Sequence, residues 1–355
     1  MSHLEERLKR DLDQVHDRVA KMGEQVQDAV KNAVQALQTG DHELAYLTVL
    51  KDNPINRCMR EIDRVCHSFF AVHIPSGGHL RLLSSVIRVN IELERIGDYA
   101  VTIAREAAQL SEPPSGALGE ELDRIADETM LMLSKAITAF GNLDAEMAKN
   151  TMALADELEH NLDTVYSEMM INDQRDRVKE ILAIFVVFTQ LKRVSDQAKN
   201  LCEDTVFAVT GEQKQPKVFK ILFIDEDNGC LSQMAEAIAR HLYPKSGIYL
   251  SAGRIPASSL DSGMTAHLDA KGIDHKDASL TALSQLSEHD IFEQHVVVSL
   301  QGKTADYLPA LPFHSSALNW DITQECGSGD FEVVYSEISS RVKDLMKLLR
   351  GEGAG

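Results

Sequence analysis

The stretch "KILFIDEDNGCLSQMAEAIAR", residues 220–240, has the pattern of a buried strand, a tight loop and a helix. That layout is typical of a phosphate-binding loop, because backbone N–H groups at a helix N-terminus point toward an anion. This loop, however, carries three carboxylates, Asp225, Glu226 and Asp227, which repel an oxyanion. The sequence therefore predicts a phosphate-loop architecture whose charge does not suit its usual ligand.

Around this stretch the chain alternates β-rich runs with helical segments. The β-rich runs are "KVFKILFI" (217–224), "GIYLSAG" (247–253), "HVVVSL" (295–300) and "SSALNW" (315–320). Such alternation predicts an α/β domain with a parallel sheet, here residues 217–350. Almost no strand signal precedes "TGEQKQPKVFK" (210–220), so we expect a domain boundary near Gly211 with a short polar linker.

The part before this boundary is helical and repeats itself. Residues 22–45 have a counterpart at 127–148, and "LERIGDYAVTIARE" (93–106) is echoed by "LKRVSDQAKNLCED" (191–204). Two copies of about 100 residues, each with three long helical stretches, predict two antiparallel three-helix bundles. We assign the bundles to residues 1–110 and 118–211.

Composition limits the classes of partner. The 355-residue chain has a formal net charge of −19, which argues against nucleic acid or an anionic membrane as a main partner. Its five cysteines are widely spaced and form no disulfide framework and no paired CxxC metal site. The start has no apolar signal segment, and no run approaches the roughly 18 apolar residues of a membrane span. We expect a cytoplasmic, reduced protein with no direct membrane insertion.

Two carboxylates of the first helical copy lie one turn apart, away from the apolar stripe of their predicted helix. Glu94 and Asp98 at i, i+4 repel each other by about 0.2–0.5 kcal/mol. A hard cation bridging their oxygens would reverse that cost. A solvated acidic face, relieved by Arg95, Arg105 and water, explains the same spacing. Spacing alone leaves both interpretations open.

The stretch "IPSGGHLRLLSSVIRVNIELERIGDYA", residues 74–100, closely resembles the signature of the PhoU family of phosphate-signalling regulators. The resemblance extends to "MGEQVQDAV", "GDHELA" and "KDNPIN" and covers nearly all of residues 1–211. It implies a pair of three-helix bundles, often dimeric. It also implies repression of phosphate-starvation signalling through contacts with a component of the phosphate ABC transporter and with a sensor histidine kinase.

The resemblance also implies a metal ion. The ExxxD pairs of the family are associated with surface-bound metal clusters, and Glu94 and Asp98 match the first pair. In the second copy Asp196 matches, but Lys192 stands where the family has Glu, so only one complete site is implied. The further oxygens of Asn200 and Glu203 in that copy are weaker candidates for ligands.

The second part resembles the low-molecular-weight tyrosine phosphatase fold, which thioredoxin-linked arsenate reductases share. Asn228, Ser232 and the "SAG" of residues 251–253 carry the resemblance, together with the helix "SQMAEAIAR". Active members have a Cys, five residues and then an Arg, with an Asp later in the chain as general acid. These three roles need a thiolate, a guanidinium that binds oxyanion oxygens, and a proton donor.

None of the three catalytic residue types is at its expected position. The nucleophile position is Asp225, the arginine position is Leu231, and the general-acid position falls at about Gln324. The resemblance therefore implies a scaffold with no catalytic residues and no bound cofactor. We expect a regulator of phosphate uptake that acts by metal-assisted protein contacts as a homodimer, with a non-catalytic C-terminal domain.

Two alternatives remain for the C-terminal domain. One is a phosphatase or arsenate reductase with an atypical site at Asp225 or Cys230. The other is a receiver-like domain that binds a divalent ion, since "KILFIDED" also resembles the first strand and acidic pair of such domains. A receiver needs a later strand that ends in a phospho-accepting Asp, whereas "HVVVSL" ends at Ser299 and Leu300.

Overall fold

The computed structural model divides the chain into two compact units, Met1–Lys214 and Gln215–Gly355. It describes residues 3–73, 75, 77–154, 178–214, 216–308, 310–312, 314–322 and 330–351. The predicted boundary near Gly211 lies among the last residues of the first unit. Within the described ranges no helix is long and apolar enough to cross a membrane.

The described part of the first unit is helical, as predicted. Its helices are α1 (His3–Thr39), α2 (His42–Leu50), α3 (Asp52–Val72), α4 (Gly77–Ala107), α5 (Gly116–Asn142) and α6 (Val178–Thr210). Residues 145–154 are also helical. The first copy has four helices rather than the three predicted stretches, because the chain breaks at Lys51 between α2 and α3.

The break between α2 and α3 follows from Pro54. Proline has no backbone N–H, so a continuous helix would leave the carbonyl oxygen of Leu50 without a donor. The side chain of Asn53 supplies that donor: its Nδ2 lies 3.2 Å from Leu50 O. This side-chain hydrogen bond replaces the helical one, and the apolar periodicity of the sequence did not predict it.

The core of the first unit is built from the predicted apolar stripes. On α4 the buried stripe is Val86, Val89, Leu93, Ile96, Ala100 and Ile103, and on α6 it is Ile184, Val187, Leu191, Val194, Ala198 and Leu201. Both stripes belong to one continuous hydrophobic core, in which α4 and α6 pack along each other. Their burial leaves the opposite faces of these helices for polar groups.

The second unit is an α/β domain with four described strands. They are β1 (Phe219–Asp225), β2 (Gly247–Gly253), β3 (Val296–Ser299) and β4 (Ser316–Asn319), in the order β2-β1-β3-β4 and all parallel. Each is one of the four predicted β-rich runs. The helices are α7 (Leu231–Leu242), α8 (Ser262–Ala270), α9 (Glu288–Phe292), α10 (Thr304–Tyr307) and α11 (Phe331–Arg350).

The sheet has an apolar core on each face. Phe223 of β1 packs against Trp320 with ring centroids 5.8 Å apart, in a cluster that includes residues of α7, α8 and α11. Leu222, Ile224 and Val297 belong to a smaller cluster formed by the alternate residues of the strands. The strand order reverses between β1 and β3, and in open parallel sheets ligands bind at the carboxyl ends of such strands. The loop after β1 lies at this point.

Candidate functional site

The loop after β1 turns around the carboxylate of Asp225. Asp225 is the last residue of β1 and only 1% exposed. Its Oδ1 accepts a hydrogen bond from the N–H of Asn228 (2.6 Å), and its Oδ2 accepts one from the N–H of Ser232 (2.8 Å). These N–H groups belong to the turn that precedes and begins α7. The loop thus directs its donors at a carboxylate of its own chain.

Asn228 fixes the shape of this loop. It has a left-handed backbone with φ of 49°, a conformation that costs a non-glycine residue roughly 1–2 kcal/mol. Its Nδ2 donates to Ser232 Oγ at 2.8 Å, and its Oδ1 accepts from Thr281 N at 2.8 Å and from Gln233 Nε2 at 3.0 Å. These three hydrogen bonds hold the loop in place from both sides.

The end of β2 also depends on this loop. A Cβ on Gly253 would lie 2.5 Å from the backbone N of Asn228, which is closer than real side chains approach. Glycine is therefore required where the chain "SAG" passes the loop. Asn228, Ser232 and Gly253, the residues that carried the fold resemblance, lie together in the structure.

The two other loop carboxylates have partners within the same unit. Glu226 forms an ion pair with Arg254 at 3.6 Å. Burial and the charge of Glu226 raise the pKa of Tyr307. Asp227 Oδ1 accepts from the N–H of Gly229 at 2.8 Å. The acidic loop is thus stabilised by donors of the chain itself.

A cavity of about 600 Å³ opens over this loop. It is lined by Asp225, Glu226, Asp227, Gly229, Cys230, Leu231, Ala257, Ser259, Leu260, Asp261, Ser262 and Gln301. Among these described lining residues there are four carboxylates and neither Arg nor Lys. Leu231, at the position predicted for arginine, is buried and belongs to the apolar core. The predicted general-acid position, about Gln324, lies outside the described residues.

The electrostatics of the cavity follow from this lining. Burial raises the pKa of Asp225 to about 6, although the N–H groups of Ser232 and Asn228 favour its ionised form.

Cys230 is in a disulfide, whereas Cys58, Cys66 and Cys202 are free thiols. The prediction of a fully reduced chain is therefore wrong at Cys230.

In the first unit the structure adds a third carboxylate to the predicted pair. Glu94 is half-buried and Asp98 exposed on α4, and Asp52 begins α3. Burial and the charges of Asp98 and Asp52 raise the pKa of Glu94, while burial and Asp98 raise the pKa of Asp52. Asp52 Oδ2 accepts from Asn56 Nδ2 at 2.5 Å, but its buried Oδ1 has no partner. Sequence reasoning missed Asp52, although it lies in the "KDNPIN" segment.

The second copy has a different arrangement. Asp196 is exposed on α6. Asn200 and Glu203 instead line a cavity of about 430 Å³ with Glu92 and Asp204, and Asp196 is not among its lining residues. Burial raises the pKa of Glu92, whose buried Oε2 has no hydrogen-bond partner among the described residues. Asn200 and Glu203 therefore share a cavity whose lining does not include Asp196.

The fit of these residues to a metal ion is partial. Carboxylate oxygens are the ligands that hard cations prefer, and the unpartnered Asp52 Oδ1 beside Glu94 and Asp98 suits such an ion. However, across the described ranges no group of three or more His, Cys, Asp and Glu side chains is arranged to hold a metal. Metal binding at Glu94, Asp98 and Asp196 stays a prediction.

Comparison with known families gives one match for each unit. The model described as "PhoU domain" matches residues 19–107 and 122–205. The model described as "Low molecular weight phosphotyrosine protein phosphatase" matches residues 220–354. The second match does not support a receiver-like domain. Neither does β3, which ends in Ser299 rather than in the phospho-accepting Asp that a receiver needs.

Three individual proteins are similar to parts of the chain. A "Phosphate-specific transport system accessory protein PhoU homolog" of Pseudomonas putida is 32% identical over 213 residues, which are 59% of this chain and 83% of that protein. The crystal structure of PhoU from Pseudomonas aeruginosa has a TM-score of 0.55 and 31% identity, over 57% of this chain and 99% of that one. An arsenate reductase in the phosphate-binding state has a TM-score of 0.33 and 22% identity, over 37% of this chain and 99% of that one.

Proposed function

Because the chain belongs to the PhoU family, we propose that it regulates phosphate uptake and phosphate-responsive signalling by binding partner proteins. The match of nearly the whole first unit to accessory proteins of phosphate-specific transport systems supports this proposal. The partners are a component of the phosphate ABC transporter, a sensor histidine kinase, or both. The chain acts in the cytoplasm as a homodimer.

Cells that lack the gene test this proposal. With the gene deleted, a phosphate-starvation reporter should be active even in high phosphate, and the full chain should restore its repression. In the same cells the tagged chain should co-purify with the transporter ATPase component or the kinase. A reporter that stays repressed without the gene would contradict the regulatory role.

The C-terminal domain, in this proposal, contributes a contact surface rather than turnover. The observation that supports this is the binding of the Asp225 carboxylate by the two N–H groups of its own loop. Catalysis of phosphoryl transfer needs donors and cations that stabilise the charge of the transferred group. In this cavity the N–H groups of Asn228 and Ser232 are bound to Asp225, and the described lining residues are acidic or neutral.

The alternative of an atypical enzyme is less well supported. An Asp225 nucleophile needs a cation to bring a phosphate dianion close, and the described lining of the cavity offers none. Cys230 in a disulfide has no thiolate to attack with. We expect no turnover of an aryl phosphate or of arsenate by the full chain. Turnover that Asp225→Ala or Cys230→Ser abolishes would establish the enzyme instead.

We also propose that a hard metal ion binds at Glu94 and Asp98, with Asp52 beside them, and shapes the partner-binding surface. Burial and the charge of Asp98 raise the pKa of both Glu94 and Asp52, and such an ion would offset both effects by favouring the ionised carboxylates. Metal analysis of the purified chain should give bound metal that Glu94→Ala removes. Glu106→Ala on the same helix is the matched control. Equal metal content in both variants would exclude this site.

A further inference from the structure

The outward face of α3 carries a basic stripe in an acidic protein. Arg57, Arg60, Arg64 and His67 follow one another at spacings of three, four and three residues, and all four are exposed. At 1.5 Å rise per residue the stripe is about 15 Å long. The opposite face of α3 is buried in the core through Ile55, Cys58, Ile62, Cys66 and Phe69. Packing against the core therefore holds the helix that carries the stripe in place.

The arginines of this stripe are not used within the described structure. Arg57, Arg60 and Arg64 form no ion pair or hydrogen bond with any described residue. The nearby carboxylates are engaged elsewhere: Glu61 pairs with Arg18, and Asp63 Oδ1 accepts from Asn90 Nδ2 at 2.9 Å. Three guanidinium groups are thus left to an outside ligand.

The shape of the surface suits a narrow, elongated ligand. A shallow, open hollow of about 550 Å³ runs along α3, lined by Arg60, Asp63, Arg64, His67, Ser68 and Ala71. The small side chains of Ser68 and Ala71 flank the basic ones, so a rigid element can approach the helix closely. A second helix lying along α3 repeats its side chains at the same rise per residue as the stripe.

Charge restricts the ligand further. Residues 1–211 hold 23 Lys and Arg against 35 Asp and Glu, so the part of the chain that carries the stripe has a net charge of −12. Interactions between exposed charges are largely screened beyond a Debye length of about 8 Å at physiological salt, so a ligand responds to the charges that it touches. A membrane surface or a long nucleic acid would extend beyond the stripe and meet the acidic remainder of this part of the chain. A single helix with a carboxylate row would not.

We propose that the basic stripe of α3 binds an acidic helix of a partner protein, with Glu or Asp side chains at matching i, i+3, i+7 and i+10 positions. This inference rests on the proposed function, in which the chain acts through protein contacts. It identifies the chemical nature of the partner surface. Arg60 and Arg64 lie at its centre, where both helices approach most closely.

A designed peptide tests the stripe directly. The probe is an alanine-based helix with glutamates at i, i+3, i+7 and i+10, and its control is a scrambled helix of the same composition. The full chain should bind the probe more tightly than the control, with an affinity that falls as salt rises. Arg60→Glu/Arg64→Glu should weaken binding by roughly tenfold or more. Lys21→Glu/Lys31→Glu on the exposed face of α1 is the matched charge control and should bind as the unchanged chain does.

Charge exchange makes the test specific. The Arg60→Glu/Arg64→Glu chain should bind a lysine version of the probe that the unchanged chain does not bind. Equal binding of the probe by all variants, or no binding at low salt, would overturn the proposal. So would binding of anionic vesicles or RNA that the same variant abolishes, since the ligand would then be of another class.

Co-purification separates this inference from the proposed function. If the transporter ATPase component or the kinase is captured by the unchanged chain but not by Arg60→Glu/Arg64→Glu, both are supported. Capture by both chains would overturn the role of the stripe and leave the proposed function standing. Capture by neither chain would contradict the proposed function. The peptide titration would still show whether the basic stripe binds an acidic helix.

Discussion

Asp225 ends β1 with each carboxylate oxygen bound by an N–H group of the loop that follows. At this residue the chain supplies the negative charge that a phosphate-binding loop usually takes from its ligand. The order of residues revealed the acidic loop, and it predicted that Asp225 stands at the nucleophile position. It could not reveal the two hydrogen bonds, because they depend on the left-handed turn at Asn228.

Removing this carboxylate should expose the loop to anions. Asp225→Ala leaves two buried N–H donors unpaired, each at a cost of about 1–3 kcal/mol. We expect the second unit to lose about 2–4 kcal/mol of unfolding free energy and to regain part of it in phosphate or arsenate. The fluorescence of Trp320, the single tryptophan, reports this unfolding because the residue lies in the core of the second unit.

The control for this change is Asp227→Ala, whose carboxylate accepts one N–H bond, from Gly229. It should cost less and show no phosphate dependence. If phosphate stabilised the unchanged chain as strongly as it stabilises the Asp225→Ala chain, this role of Asp225 would be wrong.

The buried carboxylate also predicts a pH dependence. Burial raises the pKa of Asp225 to about 6, above the value of about 3.9 in unfolded chains. A raised folded-state pKa contributes stability that is complete below pH 4 and is lost as pH rises through 6. Between pH 4 and pH 7 the unfolding free energy of the unchanged chain should fall relative to Asp225→Asn, by on the order of 2–3 kcal/mol. If the unfolding free energy measured by Trp320 fluorescence changed equally with pH in both chains, this prediction would be wrong.

Among the helices and strands, the clearest predictions came from apolar periodicity. The stripes on α4 and α6 and the four parallel strands are confirmed, because burial of one face dictates the repeat of apolar residues. The break at Lys51 was missed, since it depends on the pair Asn53 and Pro54 rather than on apolar spacing. Asp52 was missed for a related reason: it begins α3 and meets Glu94 and Asp98 only through the packing of two helices.

The close approach of β2 to the loop sets a requirement on Gly253. Gly253→Ala would bring Cβ to 2.5 Å from the backbone N of Asn228, and neither backbone can move without breaking the loop hydrogen bonds. We expect a loss of about 2–4 kcal/mol in the stability of the second unit, by Trp320 fluorescence.

Gly272→Ala is the control for this substitution. Gly272 has φ of 71° with no atom within 4 Å of a built Cβ, so its variant measures backbone strain alone. Its cost should be about 1 kcal/mol. A Gly253→Ala chain no less stable than the Gly272→Ala chain would show that the loop yields to the added methyl group.

For the whole molecule, the two units have separate hydrophobic cores. Long helices dominate the first unit, so circular dichroism follows mainly its unfolding, whereas Trp320 follows the second. Leu93→Ala removes a buried side chain of α4 and should lower the stability of the first unit by about 2–5 kcal/mol. We expect the dichroism transition to shift and the fluorescence transition to stay. A common shift of both signals would mean that the units unfold as one.

The left-handed Asn228, held by three hydrogen bonds beside Gly253, also bears on how the domain can change through evolution. Asp225 fills the frame of the loop, and Leu231 anchors the start of α7 in the apolar core. Asp225→Cys would leave the hydrogen bonds of Asn228 to Thr281 and Gln233 in place, whereas Leu231→Arg would put a guanidinium into the apolar core. The mutational path from this domain to an anion receptor therefore runs through the core as well as through the loop.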